Sequence, residues 1–166
     1  MNRVAIAYHE AGHVVIALEL GVAVKRATIK PGDKVHGQVD HSALLTRRDI
    51  RVVGHHRDTP HQRDKFEKLA IICLAGPMAQ RRYAPKSWRH WHGASDYCLF
   101  GAVARNLGGN GRALQQYTEL LMVWTDTCVD RRWLDIERVA AALLENETLG
   151  GRDIRSIALG WVRLGR

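Results

Sequence analysis

Two histidines stand four residues apart near the start of the chain, in the stretch Tyr8-His9-Glu10-Ala11-Gly12-His13. Positions i and i+4 of a helix lie one turn apart on one face, so His9 and His13 can aim imidazole nitrogens at a single point. Zinc takes such nitrogens at about 2.0–2.1 Å. Glu10 follows His9 directly, about 100° further round the helix. It cannot share the ligand position equally, but it can reach a water held by the metal. A metal lowers the pKa of that water towards about 7, and a neighbouring carboxylate takes the proton. The three residue types at this spacing therefore fit metal-assisted hydrolysis.

The chemistry requires a helix, and residues 2–20 read as one. Val4, Ala7, Ala11, Val14, Val15 and Leu18 recur at near-helical spacing. Asn2 is a candidate N-cap and Gly21 a stop. The stretch 24–30 alternates as a strand does, residues 31–34 (Pro-Gly-Asp-Lys) form a turn, and 35–39 (Val-His-Gly-Gln-Val) can pair back as a second strand. Gly37 in that strand leaves the backbone open to close approach. A second helix is expected from Thr59 to about Tyr83. Thr59 is its N-cap, Pro60 takes the first helical position, Gln62 completes a capping box, and Pro77 kinks it after Gly76. Residues 84–95 read as loop. Helical pattern resumes over 96–106, breaks at 108–111 (Gly-Gly-Asn-Gly), continues over 112–146 in two pieces and ends with a helix over 151–159. The expected class is mainly α with a small β-hairpin or sheet, α+β, as one domain over residues 1–166.

Beyond the helical motif, several stretches together resemble the peptidase domain of the FtsH family of ATP-dependent zinc proteases. Residues 7–18 (AYHEAGHVVIAL) are similar to that family's active-site helix, and 24–32 (VKRATIKPG) to the strand that follows it. Residues 69–83 resemble its Leu-Gly-Gly-Arg-Ala-Ala-Glu helix. Residues 92–96 (HGASD) resemble its Gly-Ala-x-x-Asp segment, and 134–157 its C-terminal helix, turn and short helix. The resemblance implies an FtsH-peptidase-like fold with His9 and His13 as ligands of Zn2+, Glu10 as general base and Asp96 as third ligand. One residue, Ser95, separates Ala94 from Asp96 where the family has two, which leaves His92 and Cys98 as alternative ligands. A carboxylate is an accepted zinc ligand, and a catalytic site needs three protein ligands and a water. In the resembled family a strand in the region of 35–39 borders the cleft. Gly37 and Val39 are therefore candidate substrate-binding residues, on an edge to which an extended peptide can add.

The composition bounds the rest. Hydrophobic residues make up 46% of the 166 and charged residues 25%, a globular balance. Three cysteines, Cys73, Cys98 and Cys128, are too few and too scattered for a disulfide framework, and an odd number leaves one unpaired. With no signal peptide pattern and no apolar run near the roughly 20 residues that span a bilayer, a cytoplasmic location away from membranes is expected. The net charge of +8 is spread along the chain and reads as a solvated basic surface, without nucleic acid as a partner. His55, His56 and His61 read as solvated loop histidines. Trp88 and Trp91 either wall a pocket or pack, and Cys73 is expected buried and inert.

FtsH-like proteases join their peptidase to an ATPase and a membrane anchor. Here no Gly-x-x-x-x-Gly-Lys-Ser/Thr loop exists and nothing precedes the motif helix, so a stand-alone domain is expected. The expected function is an ATP-independent zinc metalloendopeptidase, a hydrolase in which Glu10 takes the proton of a metal-activated water. Its substrates are peptides or unfolded protein, received directly or from a separate partner protein. The alternative is a non-proteolytic, zinc-bound interaction or regulatory module.

Overall fold

The computed structural model describes residues 2–31, 37–45, 59–86 and 88–159. The first helix, α1, runs Arg3–Glu19. Asn2 is extended and its side chain accepts a hydrogen bond from the Val4 N–H at 3.1 Å, satisfying one of the helix's open donors. Residues 5–7 and 9–17 are all buried, so α1 is a core helix covered on every side rather than an amphipathic surface helix. Its neighbours are α2 (Pro60–Tyr83) and α5 (Trp133–Asn146). Between these in sequence come a 3-10 turn at His90–Gly93, α3 (Ala94–Gly108) and α4 (Gly111–Arg131). The last described element is α6 (Gly151–Leu159).

Among the described residues, three short antiparallel strands form one sheet, in the order β2-β1-β3. Strand β1 (Val24–Thr28) is central, β2 (Gln38–His41) pairs on one side and β3 (Thr148–Gly150) on the other. The β1–β2 register places Ala27 opposite Val39 and Thr28 opposite Gln38, with an irregularity between Val24 and Arg26. Among the described residues β2 has no further strand beside it, so it is an edge.

The expected hairpin is present, but its second strand lies later than 35–39: it is 38–41, and Val35 and His36 fall outside the described residues. Pairing with β1 sets this offset, continued by the Ser42 N–H donating to the Ala23 carbonyl at 2.7 Å. Helix α2 starts as expected, with the Thr59/Gln62 capping box formed in both directions, and is continuous through Pro77. The 112–146 stretch divides at Arg132 into α4 and α5. Two elements were not expected, the 3-10 turn inside 84–95 and strand β3. Three residues ending in Gly150 carry no strand pattern of their own; β1, about 120 positions earlier, supplies the ladder.

Helix α2 lies against α1 because both are small where they meet. A side chain on Gly12 would place its Cβ 2.6 Å from the Ala75 carbonyl oxygen and 2.7 Å from the Ala79 Cβ. Gly93 does the same for the start of α3, where a Cβ would fall 2.7 Å from the Pro77 ring. These contacts draw α1, α2 and the first turn of α3 together. The apolar cluster below them includes Ile16, Leu74, Ile136, Leu143 and Ile154, all essentially fully buried. Each such side chain contributes about 1.5–3 kcal/mol. That stabilisation has to offset three ionisable groups inside the same core, His9, Glu10 and His13. An uncompensated buried ion costs several kcal/mol, so their partners decide whether this core is tolerable.

Candidate functional site

His9, Glu10 and His13 occupy one buried stretch of α1, with residue exposures of 5%, 6% and 9%. The helix brings the two rings together as the spacing requires. Their Nε2 atoms are 3.1 Å apart, and the rings meet edge to face. Asp96, in the first turn of α3, reaches them from a different part of the chain. Its carboxylate oxygens lie 3.1 Å from His9 Nε2 and 3.5 Å from His13 Nε2. One donor atom from each of His9, His13 and Asp96 falls within 4.8 Å of the other two.

The other ring nitrogens point away from this centre and are held. His13 Nδ1–H donates to the Ile72 carbonyl at 2.7 Å. A carbonyl only accepts, so the His13 proton sits on Nδ1 and Nε2 carries a lone pair. His9 Nδ1–H donates to Gln80 Oε1 at 2.9 Å. Two neutral rings in these tautomers would oppose lone pairs at 3.1 Å beside a carboxylate. The centre therefore requires a cation. It is either a proton on His9 Nε2, shared between His13 Nε2 and Asp96, or a metal ion bound to all three.

The electrostatics agree with that requirement. Burial opposes protonation of His9, but the hydrogen bond to Asp96 and the charges of Glu10 and Asp96 outweigh it and hold its pKa above the ordinary value. Burial and the neighbouring His9 charge push His13 down. Burial alone would raise Asp96, yet its bond to His9 and the charges of both histidines keep it low and ionised. Glu10 is different. Burial pushes it up to about 7, with the His9 charge opposing and the Asp96 charge adding. Among the described residues its carboxylate has no hydrogen-bond partner. It is a carboxylate with a nearly neutral pKa beside a cationic centre, which is the condition for taking and returning a proton near pH 7.

Of the alternatives for the third position, His92 is directed elsewhere. Its Nδ1 accepts the Arg89 N–H and the Gln80 Nε2–H, each at 3.2 Å. Cys98 is exposed on α3 and lies outside the donor cluster. Cys73 is buried, and burial followed by the Asp96 charge pushes its thiol up to about 12, so it stays protonated. Trp88 is half-buried with its ring edge-on to His90, whereas Trp91 is 71% exposed. His61 is exposed in the first turn of α2, and His55 and His56 lie outside the described residues. No helix among the described residues is long and apolar enough to cross a membrane.

Sequence reasoning did not single out Gln80, the Ile72 carbonyl or Gly76. Each acts on a histidine more than 50 positions away, so no local pattern marks it. A buried glutamine at the end of an apolar helical run was the one visible signal. Gly76 is matched to its surroundings: a Cβ there would run into the His13 ring.

Gly37 also has a partner the sequence did not show. A Cβ on it would lie 2.5 Å from Glu10 Oε1 and 2.8 Å from Glu10 Cδ. The missing side chain leaves room for the Glu10 carboxylate at the start of β2. Val39 is half-buried and packs on the apolar core. Gly37→Ala is accordingly expected to turn Glu10 aside while leaving the His9/His13/Asp96 donors in place. Any hydrolytic rate should then fall at least about 10-fold, against the roughly 10²–10⁴-fold that a general base contributes, with metal content unchanged. Cleavage kinetics and metal analysis of that variant check this; an unchanged rate would show that the carboxylate tolerates the added methyl.

In comparisons with known proteins, no protein-family model and no curated protein matched the chain.

Proposed function

We propose that this chain is a zinc-dependent endopeptidase of the FtsH-peptidase kind, acting without ATP. The observation that carries the reading is the convergence of His9 Nε2, His13 Nε2 and the Asp96 carboxylate, with separations of 3.1, 3.1 and 3.5 Å. A tetrahedron with bonds of about 2.0–2.1 Å has edges of about 3.3 Å, so this donor set fits zinc with one position left open. The held Nδ1 atoms add to the fit, because ligating imidazoles characteristically donate their other N–H to a carbonyl or carboxylate. Bound zinc supplies Lewis-acid polarisation and lowers the pKa of water towards about 7.

The chain's own groups supply the rest. Glu10 takes the proton of the attacking water and returns it to the leaving amine. Its buried carboxylate, with a pKa of about 7, can hold the proton between the two transfers. Strand β2, an edge among the described residues and beside Glu10, aligns an extended substrate by main-chain hydrogen bonds, with Gly37 and Val39 at the point of approach. Substrates are peptides or unfolded segments, the forms in which a chain can lie extended along a sheet edge. A separate partner can present them.

The test combines metal analysis with cleavage. Protein purified without chelator should hold one zinc per chain and cleave casein or a peptide library, with no stimulation by ATP and magnesium. Chelation should abolish cleavage and zinc should restore it. Asp96→Ala should weaken metal binding by more than the roughly 10–100-fold that loss of an outer-shell partner costs. Absence of any transition metal would sink the reading. Bound zinc without cleavage of any library would turn it into the non-proteolytic module.

A further inference from the structure

His92 is one of the alternative third ligands, yet its ring nitrogen is turned to a different task. We propose that His92 is a positioning residue that sets the Gln80 amide and, through it, keeps the His9 proton on Nδ1 so that Nε2 faces the metal position. The inference deepens the metal reading above and rests on it for its affinity arm.

The Arg89 backbone N–H can only donate, and it donates to His92 Nδ1 at 3.2 Å. His92 Nδ1 must therefore carry a lone pair. The group of Gln80 that lies 3.2 Å from the same nitrogen has to be a donor, the Nε2–H₂. The amide oxygen is then directed to the other side, where it accepts from His9 Nδ1–H at 2.9 Å. A flipped amide would set its oxygen against the His92 lone pair. It would also set its N–H₂ against His9 Nδ1, selecting the tautomer that places the His9 proton on the metal-facing nitrogen. Gln80 is 1% exposed, so water cannot repair the mismatch. Along this arm the polarity is passed on from a backbone N–H of the segment that leads into α3. The same short segment, residues 89–96, delivers Asp96 as a donor and orients His9 through His92 and Gln80.

The variants are His92→Phe, His92→Asn, Gln80→Leu and the double variant His92→Phe/Gln80→Leu. Two measurements are made on each: zinc affinity by chelator competition, and ring N–H exchange by ¹⁵N NMR with and without zinc. Wild type should show a slowly exchanging His9 Nδ1–H in both states. His92→Phe removes the acceptor and should lower zinc affinity about 10-fold, at the lower end of outer-shell losses, with faster exchange at His9 Nδ1. Asparagine places an amide oxygen where Nδ1 stood, so His92→Asn should restore both readouts. The double variant should be no worse than Gln80→Leu, since His92 acts only through Gln80. His92→Ala replaces His92→Phe if the larger ring unfolds the turn.

Affinity within about 2-fold of wild type together with unchanged exchange in His92→Phe, or additive losses in the double variant, would overturn the inference. If wild type takes up no zinc, the metal reading fails, and the exchange pattern across the four variants still upholds or overturns the relay.

Discussion

Glu10→Gln is expected to leave one zinc per chain and to lower kcat by about 10²–10⁴-fold, the range that a positioned general base contributes. Glutamine keeps the size of glutamate and can hydrogen-bond, but it cannot accept the proton of the attacking water. Metal content should be unchanged because Glu10 lies outside the donor cluster of His9, His13 and Asp96. Stability should hold or rise slightly. Glu10 is buried with a pKa raised to about 7 from its ordinary value near 4.5. A carboxyl raised in the folded state favours folding below its unfolded pKa, and that contribution is lost as pH rises through about 7. A neutral amide at this position removes the pH dependence and the cost of the buried charge. Cleavage kinetics, elemental analysis and Tm between pH 5 and pH 8 check the three parts. A variant that cleaves at a near wild-type rate would remove Glu10 from the proposed role, whatever its metal content.

Gly76→Ala should damage the proposed metal centre from the opposite side, without touching a donor chemically. Alanine inside a helix is worth roughly 1 kcal/mol over glycine, so propensity alone predicts a more stable protein. The new methyl, however, would run into the His13 ring. Forcing an extra carbon into a packed core costs about 1–3 kcal/mol. The cheapest relief is for His13 to swing away, which breaks its 2.7 Å bond to the Ile72 carbonyl and separates its Nε2 from Asp96. The expected outcome is a small net change in Tm with zinc affinity lowered by about 100-fold or more, beyond the loss of an outer-shell partner. Chelator competition and thermal denaturation measure the two effects separately. Unchanged zinc affinity in a folded Gly76→Ala protein would mean that the ring is free to adapt, and that the site is less confined than its burial implies.

The local parts of this protein were legible in the order of its residues. The His9/His13 pair and the angular offset of Glu10 follow from 3.6 residues per turn, and that geometry needs nothing beyond the helix itself. The Asn2 cap and the Thr59/Gln62 capping box depend on neighbours a few positions apart, and each appeared where side-chain chemistry placed it. The hairpin was legible as a pair of strands, but pairing with β1 moved its second strand to 38–41, and the division of 112–146 at Arg132 had no local mark. The third donor was different. Asp96 lies 83 positions beyond His13 (96 − 13), and only a resemblance singled it out over His92 and Cys98. What separates them in space is the approach of α3 to α2 at Gly93 and Pro77, which sets the first turn of α3 over the histidines. The same holds for Gln80, the Ile72 carbonyl, Gly76 and strand β3. Their roles come from helix crossings and ladder pairing across long stretches of chain, where packing of the whole core, and not the propensity of any segment, decides which polar group meets which.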